Sequence, residues 1–316
     1  MPQSVWIESV FIIKKYLPAF LICLLLLFSS CSINVKAIQD IKKDNITEEV
    51  FKEIFKDVAE EKTDEKIMEI DDKTDEFIEE KIDDVFSTRL LNAITNSKLP
   101  HDMSEKIRES ILHSHDFLNE LREILLQDPY LRILVDKEHS LGENYEPDDL
   151  VVLKNGVYVL NNSEVLSLRR SAADSLEEMA TVARSEGITL LVSYSYRSFA
   201  RQLQSYSMHV RNLGQREADR ISARPGYSQH QLGLTVDFDS VTNVFSRTAP
   251  GIWLSKNASR FGWSISYPYG YEGVTGYSWE SWHYRYVGAE LAEFIDKYFN
   301  GIQQYALRFI HEFESF

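Results

Sequence analysis

The spacing of apolar side chains divides the chain into a helical part and a part in which strands and helices interleave. Between residues 40 and 127 apolar positions recur every three or four residues, as at Val50, Ile54 and Val58, which is the period of an amphipathic helix. Pro129 ends this pattern, because proline lacks the backbone N–H that a helix interior needs. The sequence therefore predicts a structural boundary at this point.

Beyond the boundary, short β-branched runs predict strands and longer periodic runs predict helices. Residues 188–193 are apolar and β-branched, as strands are. Residues 163–186 keep helical periodicity up to Gly187, a residue type that commonly ends helices. The interleaving lacks a regular strand–helix–strand repeat, which favours an α+β fold with a small antiparallel or mixed sheet flanked by helices. Further predicted strands are residues 131–135, 150–153, 236–238 and 284–287, and further predicted helices are residues 198–213, 251–261 and 288–300.

The first 31 residues predict a targeting segment. Lys14 and Lys15 precede an apolar stretch at residues 17–28, which has the length of a signal-peptide hydrophobic region and is short for a membrane span. Small residues then precede Cys31, as in the bacterial motif at which a signal is cut and the cysteine is lipidated. An uncleaved N-terminal anchor is the alternative. In both cases the sequence predicts a chain tied to a membrane of the cell envelope and facing the periplasm or the cell exterior.

Acidic side chains are concentrated in the helical part of the chain. The formal net charge is −15, and residues 40–85 alone hold 19 acidic and 8 basic residues. Nucleic-acid binding needs a basic face, so this composition argues against a nucleic-acid partner. We interpret the acidic region as a solvated helical spacer; a specific binding module and a short coiled coil are the alternatives.

Both cysteines of the chain, Cys23 and Cys31, lie in the N-terminal segment. The residues after Cys31 therefore cannot form a disulfide or a thiolate metal site. Any metal bound there must be held by histidine, aspartate or glutamate.

Two histidines and an aspartate have a spacing that suits a metal ion. His230 and Asp237 are seven positions apart with Gly233 between them, so a tight turn can place His230 on a loop and Asp237 on the following strand. Zinc accepts imidazole nitrogen and carboxylate oxygen, and a catalytic zinc has three protein ligands and one position open for water. His283 supplies the third ligand in this prediction.

Two charged residues complete the predicted site. Glu280 stands three positions before His283, and positions i and i+3 of a regular strand face opposite sides. A bend near Ser281 or Trp282 is therefore needed to bring both side chains to one site. There, Glu280 can take a proton from metal-bound water and deliver it to a leaving amine. Arg197 supplies positive charge for an oxyanion or a substrate carboxylate.

The segments that carry these residues resemble the zinc D-alanyl-D-alanine carboxypeptidases of the VanY-like family. Residues 228–237 match the motif S-x-H-x-x-G-x-A-x-D with Thr235 in place of alanine, and residues 280–283 match E-x-W-H. Residues 196–202 resemble the family's preceding motif, Y-R-S-x-x-x-Q. The resemblance runs from about residue 131 to about residue 298 and leaves out the acidic helical region.

This resemblance implies a zinc metallo-carboxypeptidase that removes the terminal D-alanine of peptidoglycan stem peptides by means of metal-activated water. It also implies a role for each matching position: zinc ligands at His230, Asp237 and His283, the catalytic base at Glu280, a transition-state or carboxylate contact at Arg197, and substrate-side positions at Ser228 and Gln202. The implied partners are peptidoglycan stem peptides and, through Cys31 or the apolar segment, a membrane.

The sequence departs from the family pattern in four places. Thr235 replaces alanine, and Ser281 replaces a frequent proline in E-P-W-H. Tyr194-Ser195 stands where smaller residues precede Tyr-Arg, and Ser266 stands in place of a common arginine. The last two departures bear on substrate preference more than on catalysis.

Several activities remain open on this scaffold. An L,D-carboxypeptidase that trims the tetrapeptide and a peptidoglycan endopeptidase would use the same zinc site. A non-catalytic envelope-binding lipoprotein and an adhesin acting through the acidic helices are further alternatives. Glu280 argues against a binding protein, because such a protein needs no general base.

These patterns together predict four segments. Residues 1–30 form a lipoprotein-type signal peptide, residues 31–127 a tether and acidic helical region, residues 128–300 the zinc peptidase domain, and residues 301–316 a C-terminal helical tail.

Overall fold

The computed structural model describes residues 86–114, 116–161 and 164–315, all of which belong to one compact unit, Asp75–Phe316. The predicted signal peptide, Cys31 and most of the acidic helical region lie outside the described residues. Among the helices of the described ranges, none combines the length and the apolar character needed to cross a bilayer.

A five-stranded mixed sheet lies at the centre of the described fold, and a two-stranded sheet lies beside it. The two-stranded sheet pairs Leu150–Val152 (β1) with Ser167–Arg169 (β3) in antiparallel fashion. In the larger sheet the first pair is parallel and the other pairs are antiparallel. Its strands, in spatial order, are Val159–Leu160 (β2), Leu191–Tyr194 (β4), Thr235–Phe238 (β5), His283–Tyr286 (β7) and Trp263–Ile265 (β6). This arrangement confirms the predicted α+β fold with a small mixed sheet.

Helices flank these sheets, and two of them begin at hydroxyl caps. Ser198 accepts a hydrogen bond from the N–H of Arg201, and Thr248 accepts one from the N–H of Gly251, which satisfies donors that a helix start leaves unpaired. The described helices are residues 86–96 (α1), His101–His113 (α2), Asp116–Leu126 (α3), Arg170–Ser185 (α4), Phe199–Leu213 (α5), Gln215–Ile221 (α6), Ala249–Asn257 (α7), Glu272–Thr275 (α8), Ala289–Tyr298 (α9) and Gln303–Glu314 (α10). Short 3₁₀ turns cover Pro129–Arg132, Gln229–Leu232, Asn243–Arg247 and Ala258–Phe261.

Two element predictions were wrong. The helix predicted over residues 163–186 begins only at Arg170, because the three residues before it pair with β1 and place Leu168 in the core. Residues 131–135 form no strand; a 3₁₀ turn ends at Arg132. The carbonyls of Leu131 and Ile133 instead accept hydrogen bonds from the buried guanidinium of Arg285, at 3.0 and 2.9 Å.

Two clusters of buried apolar side chains stabilise the unit. One fills the space between α4 and the larger sheet. The other joins α1, α2 and α3 to α9 and α10; in it the ring of Phe117 lies 5.0 Å from that of Phe294 and 5.8 Å from that of Phe309. The predicted peptidase domain has its limits at residues 128 and 300, and helices on both sides of each limit thus share one core. The division of the chain into four segments stays a prediction.

Candidate metal centre

Three buried side chains converge at the middle of the larger sheet. Each of His230, Asp237 and His283 offers a ligand atom, and these atoms lie within 4.8 Å of one another. The Nε2 atom of His230 is 3.2 Å from Oδ2 of Asp237, and the Nδ1 atom of His283 is 3.0 Å from Oδ1 of the same carboxylate. The structure therefore brings together all three ligands predicted from the sequence.

Strand pairing and one tight turn produce this convergence. Asp237 on β5 lies directly opposite His283 on β7 in the antiparallel register. His230 lies on the 3₁₀ turn before β5, which ends at Gly233 with a φ of +71°. That conformation favours glycine, and a Cβ at this position would lie 2.9 Å from the side chain of Leu150. The predicted glycine turn between the first two ligands is thus confirmed.

Hydrogen bonds fix which nitrogen of each imidazole faces the carboxylate. Nδ1 of His230 lies 2.7 Å from the carbonyl oxygen of Ser195, and Nε2 of His283 lies 3.3 Å from Oε1 of Gln229. Each of these nitrogens carries the proton, since a carbonyl oxygen can only accept. The nitrogens facing Asp237, namely Nε2 of His230 and Nδ1 of His283, therefore present lone pairs.

This arrangement fits a metal ion. Oδ1 of Asp237 is buried without a hydrogen-bond donor, although Nδ1 of His283 is close by. Burial lowers the pKa of His230, against the opposing charge of Asp237, and so favours the neutral imidazole. Burial raises the pKa of Asp237, but both histidines lower it more, and the net shift is downward. Two imidazoles and one carboxylate are thus gathered at one point around a buried oxygen that has no hydrogen-bond donor, a set of ligand atoms that suits a cation.

Glu280 lies beside this centre because the chain turns before β7. Residues 281 and 282 form a turn in which the N–H of His283 donates to the carbonyl of Glu280 at 3.3 Å, so the predicted bend is confirmed. Oε2 of Glu280 lies 3.5 Å from Nδ1 of His283. Burial, and then the charge of Asp237, raise the pKa of Glu280 well above its usual value, while Arg197 opposes the shift. A carboxylate with a raised pKa is suited to accept a proton near neutral pH.

Asn243 holds this turn from outside. Its Oδ1 accepts a hydrogen bond from the N–H of Ser281 at 3.1 Å, and its Nδ2 donates to the carbonyl of Trp279 at 2.9 Å. These two bonds fix the backbone on both sides of Glu280. Asn243 thus orders a turn in which Ser281 stands where many family members have proline.

Of the two predicted substrate-side residues, Gln202 contacts Arg197 and Ser228 lies before the turn that carries His230. The backbone N–H of Arg197 donates to the carbonyl of His230 at 3.1 Å, and its Nη1 donates to Oε1 of Gln202 at 3.0 Å. Gln202 is buried, and its Nε2 donates to the carbonyl of Ala223 at 2.6 Å, so it orients the guanidinium. Ser228 is also buried, directly before the turn that carries His230.

A cleft of about 310 Å³ adjoins Arg197. Tyr196, Ser198 and Phe199 line one side of the cleft, and residues 143–146 line the other. The side chain of Gln231 donates to the carbonyls of Gly142 and Tyr145 at 2.9 and 3.1 Å, which ties that second wall to the turn carrying His230. The residues that flank Arg197 in sequence therefore line one side of this cleft.

Sequence reasoning missed three residues that orient the site: Ser195, Gln229 and Asn243. Ser195 and Gln229 adjoin motif positions, which is the only signal that the sequence offers for them. Their roles depend on hydrogen bonds that cross between distant parts of the chain.

Comparison with known proteins supports the same chemistry. The family model described as VanY, D-alanyl-D-alanine carboxypeptidase, matches residues 165–289, which include every predicted site residue from Arg197 to His283. The putative carboxypeptidase YodJ of Bacillus subtilis is 35% identical over 190 residues, which are 57% of this chain and 70% of that protein. A D-alanyl-D-alanine carboxypeptidase of Enterococcus faecalis is 31% identical over 169 residues, 51% of this chain and 59% of that protein. Among solved structures, that of the LdcB LD-carboxypeptidase is 35% identical and covers 56% of this chain and 89% of its own, with a TM-score of 0.50.

Proposed function

Because the chain belongs to the VanY family of D-alanyl-D-alanine carboxypeptidases, we propose that it uses zinc to remove the C-terminal D-alanine of peptidoglycan stem peptides. The observation that carries this proposal is the meeting of ligand atoms from His230, Asp237 and His283 within 4.8 Å of one another, with Oδ1 of Asp237 buried and without a hydrogen-bond donor. His230, Asp237 and His283 would hold the ion. Two imidazoles and one carboxylate are a common ligand set of catalytic zinc, which leaves one position for water. Bound there, zinc makes that water acidic enough to act as a nucleophile at neutral pH.

Glu280 is the general base in this proposal. Its side chain lies next to the ligand His283 and is 14% exposed, so it borders the buried centre without being closed off from solvent. Its raised pKa favours accepting a proton from the attacking water. The same carboxyl then delivers that proton to the departing amine of D-alanine.

Arg197 binds the negative charge of the substrate. Gln202 accepts a hydrogen bond from its guanidinium and the carbonyl of His230 accepts one from its backbone N–H. Its charge lowers the pKa of both His230 and Glu280, so it acts on the metal centre itself. A fixed guanidinium recognises a carboxylate by two parallel hydrogen bonds, which suits a substrate that ends in a free carboxylate. This requirement distinguishes removal of a terminal residue from cleavage within a cross-link.

We expect Arg197→Lys to lower kcat/KM by about 10²–10³-fold, because lysine supplies the charge without the planar pair of donors. The measurement is steady-state release of D-alanine by the zinc-loaded protein. Arg201→Lys is the matched control, since Arg201 lies four positions further along the chain, on α5, where it is exposed and pairs with Glu164. Equal losses in the two variants would contradict the assignment.

The two candidate activities, D,D- and L,D-carboxypeptidase, differ in the configuration of the residue before the scissile bond. The Enterococcus faecalis relative is named as a D-alanyl-D-alanine carboxypeptidase, and the LdcB structure is that of an LD-carboxypeptidase. Both reactions release a terminal D-alanine, and the metal ligands do not distinguish them. An L,D-carboxypeptidase is therefore the second candidate, favoured by the 35% identity over 89% of the LdcB chain.

Mass spectrometry of purified stem peptides tests the proposal. The zinc-loaded protein is incubated separately with pentapeptide, tetrapeptide and cross-linked dimer. Loss of one alanine from the pentapeptide supports D,D-carboxypeptidase activity, and loss from the tetrapeptide supports the L,D activity. Cleavage of the dimer alone would replace both with an endopeptidase, and no cleavage of any substrate would leave a binding protein.

We also propose that the chain is a lipoprotein of the cell envelope, attached to the membrane through Cys31. The support is the sequence of the first 31 residues, with its paired lysines, apolar stretch and small residues before the cysteine. Incorporation of a labelled fatty acid that disappears in Cys31→Ser is the expected result. Unchanged labelling or membrane association in that variant would favour an uncleaved anchor.

A further inference from the structure

The helix α10 reaches the metal centre from a part of the chain outside the matched family region. That region ends at residue 289, whereas α10 begins at Gln303. The Gln303 side chain is 1% exposed and lies next to Gln229, the residue that contacts His283. A residue that sequence patterns place in a tail therefore contributes to the interior of the site.

A chain of hydrogen bonds connects His283 to this helix. Nε2 of His283 lies 3.3 Å from Oε1 of Gln229, and Nε2 of Gln229 donates to Oε1 of Gln303 at 3.3 Å. Nε2 of Gln303 in turn donates to the backbone carbonyl of Ser264 at 3.2 Å. All of these groups are buried.

The backbone carbonyl of Ser264 fixes the donor-to-acceptor direction of this series of hydrogen bonds. The carbonyl of Ser264 can only accept, so the amide nitrogen of Gln303 must face it and the oxygen must face Gln229. Gln229 then has to present its nitrogen to Gln303 and its oxygen to His283. The proton of His283 is thereby placed on Nε2, and the lone pair of Nδ1 is directed to the metal centre.

Two departures from the family motif support this arrangement. Thr235, in place of alanine, donates its hydroxyl to the backbone carbonyl of Gln229 at 3.1 Å. Ser266, in place of a common arginine, donates its hydroxyl to Oε1 of Gln229 at 2.6 Å. Both substitutions contact the same glutamine, one at its backbone and one at its amide oxygen. They hold Gln229 in the orientation that His283 requires.

We propose that Gln303 and Gln229 are positioning residues that hold His283 in its metal-binding tautomer, which makes α10 a part of the metal centre. The proposal rests on the proposed function only in that His283 is a ligand. Groups that hydrogen-bond to a ligating histidine fix its tautomer and ring orientation, and their loss commonly weakens metal binding about 10–100-fold.

The test is Gln303→Leu in the full chain, a change that keeps the approximate volume and removes both the donor and the acceptor of the side-chain amide. We expect zinc affinity, measured by competition with a chromophoric chelator, to fall about tenfold. In the metal-free protein, ¹⁵N shifts of His283 should show the Nε2–H tautomer in the wild type and a mixture in the variant. Gln303→Met, which also lacks the amide, replaces the leucine variant if that one does not fold.

The neighbouring glutamine provides a matched control. Gln304 is equally buried at 3% exposure, but its Nε2 donates to Oδ2 of Asp136 at 2.6 Å and makes no contact with Gln229. Gln304→Leu should lower the melting temperature while leaving zinc affinity and the His283 tautomer unchanged. A role of Gln303 in packing alone would give the same result for both variants, and that outcome overturns the proposal.

A double-mutant cycle tests whether Gln303 acts on His283 through Gln229. Gln229→Leu should weaken zinc binding about 10–100-fold, and adding Gln303→Leu to it should weaken binding little further, because Gln303 acts through Gln229. Independent, multiplying losses would contradict this order. Zinc affinity and tautomer are measured without substrate, so a failure of the proposed carboxypeptidase activity would leave this test intact.

Discussion

Replacing Glu280 with glutamine is expected to lower turnover by about 10²–10⁴-fold while zinc remains bound. Glutamine keeps the size of the side chain but cannot accept the proton of the attacking water. The three ligand atoms lie on other residues, and Asn243 still fixes the backbone on both sides of position 280. Metal analysis of the purified variant and an oxidase-coupled assay of released D-alanine measure the two effects separately.

The matching control is Glu272→Gln, in which an exposed carboxylate paired with Arg220 is replaced by the same amide. This variant should keep full turnover. D-alanine release at the normal rate by the Glu280 variant would refute the role of that residue as the base. Loss of zinc from the Glu280 variant would instead place this carboxylate among the ligands.

Replacing Asp237 with asparagine is expected to abolish zinc binding and activity while the metal-free protein still folds. The carboxylate is the only charged ligand, and its Oδ1 is buried without a donor beside the lone pair of His283. An amide nitrogen in its place donates a hydrogen bond to one of the two imidazoles. It thereby satisfies a buried group and removes a desolvated charge.

Metal content, activity and the melting temperature of chelator-treated protein measure these effects. Asp239→Asn is the control, because Asp239 lies two positions further along the chain with a φ of 52°, a conformation that asparagine adopts readily. It should bind zinc normally. A variant at position 237 that retains zinc and activity would contradict the assignment of Asp237 as a metal ligand.

The site was predictable because its residues lie in short segments, in which the residue types and their spacing indicate metal ligands and a general base. His230, Gly233 and Asp237 are close in sequence, so the turn that joins the first two ligands follows from the residue types alone. The position of Glu280 before His283 required a bend, and the structure contains one. The pairing of β5 with β7 then supplied the register that the sequence could not give.

Contacts between distant segments were not predictable from spacing. Nothing in the local sequence marks Asn243 as the residue that orders the turn at Ser281, or Gln303 as a neighbour of Gln229. The three-residue strand β3 was mistaken for the start of a helix, because a strand that short contains no full repeat of an alternating pattern. The strand β1, which is separated from β3 by the connecting residues 153–166, pairs with β3 and thereby determines the conformation of β3.

The core shared by α1–α3 with α9 and α10 has a consequence for biosynthesis. The first and last helices of the described unit are about 200 residues apart in sequence, yet they bury the same apolar surface, with Phe86 and Phe313 in ring contact at 5.0 Å. Contacts of such long sequence separation form late in folding, after the loops between them have closed. A polypeptide that is still being translated therefore leaves this apolar surface exposed until α10 has been synthesised. The apolar core of these helices can therefore close only after synthesis has passed α10.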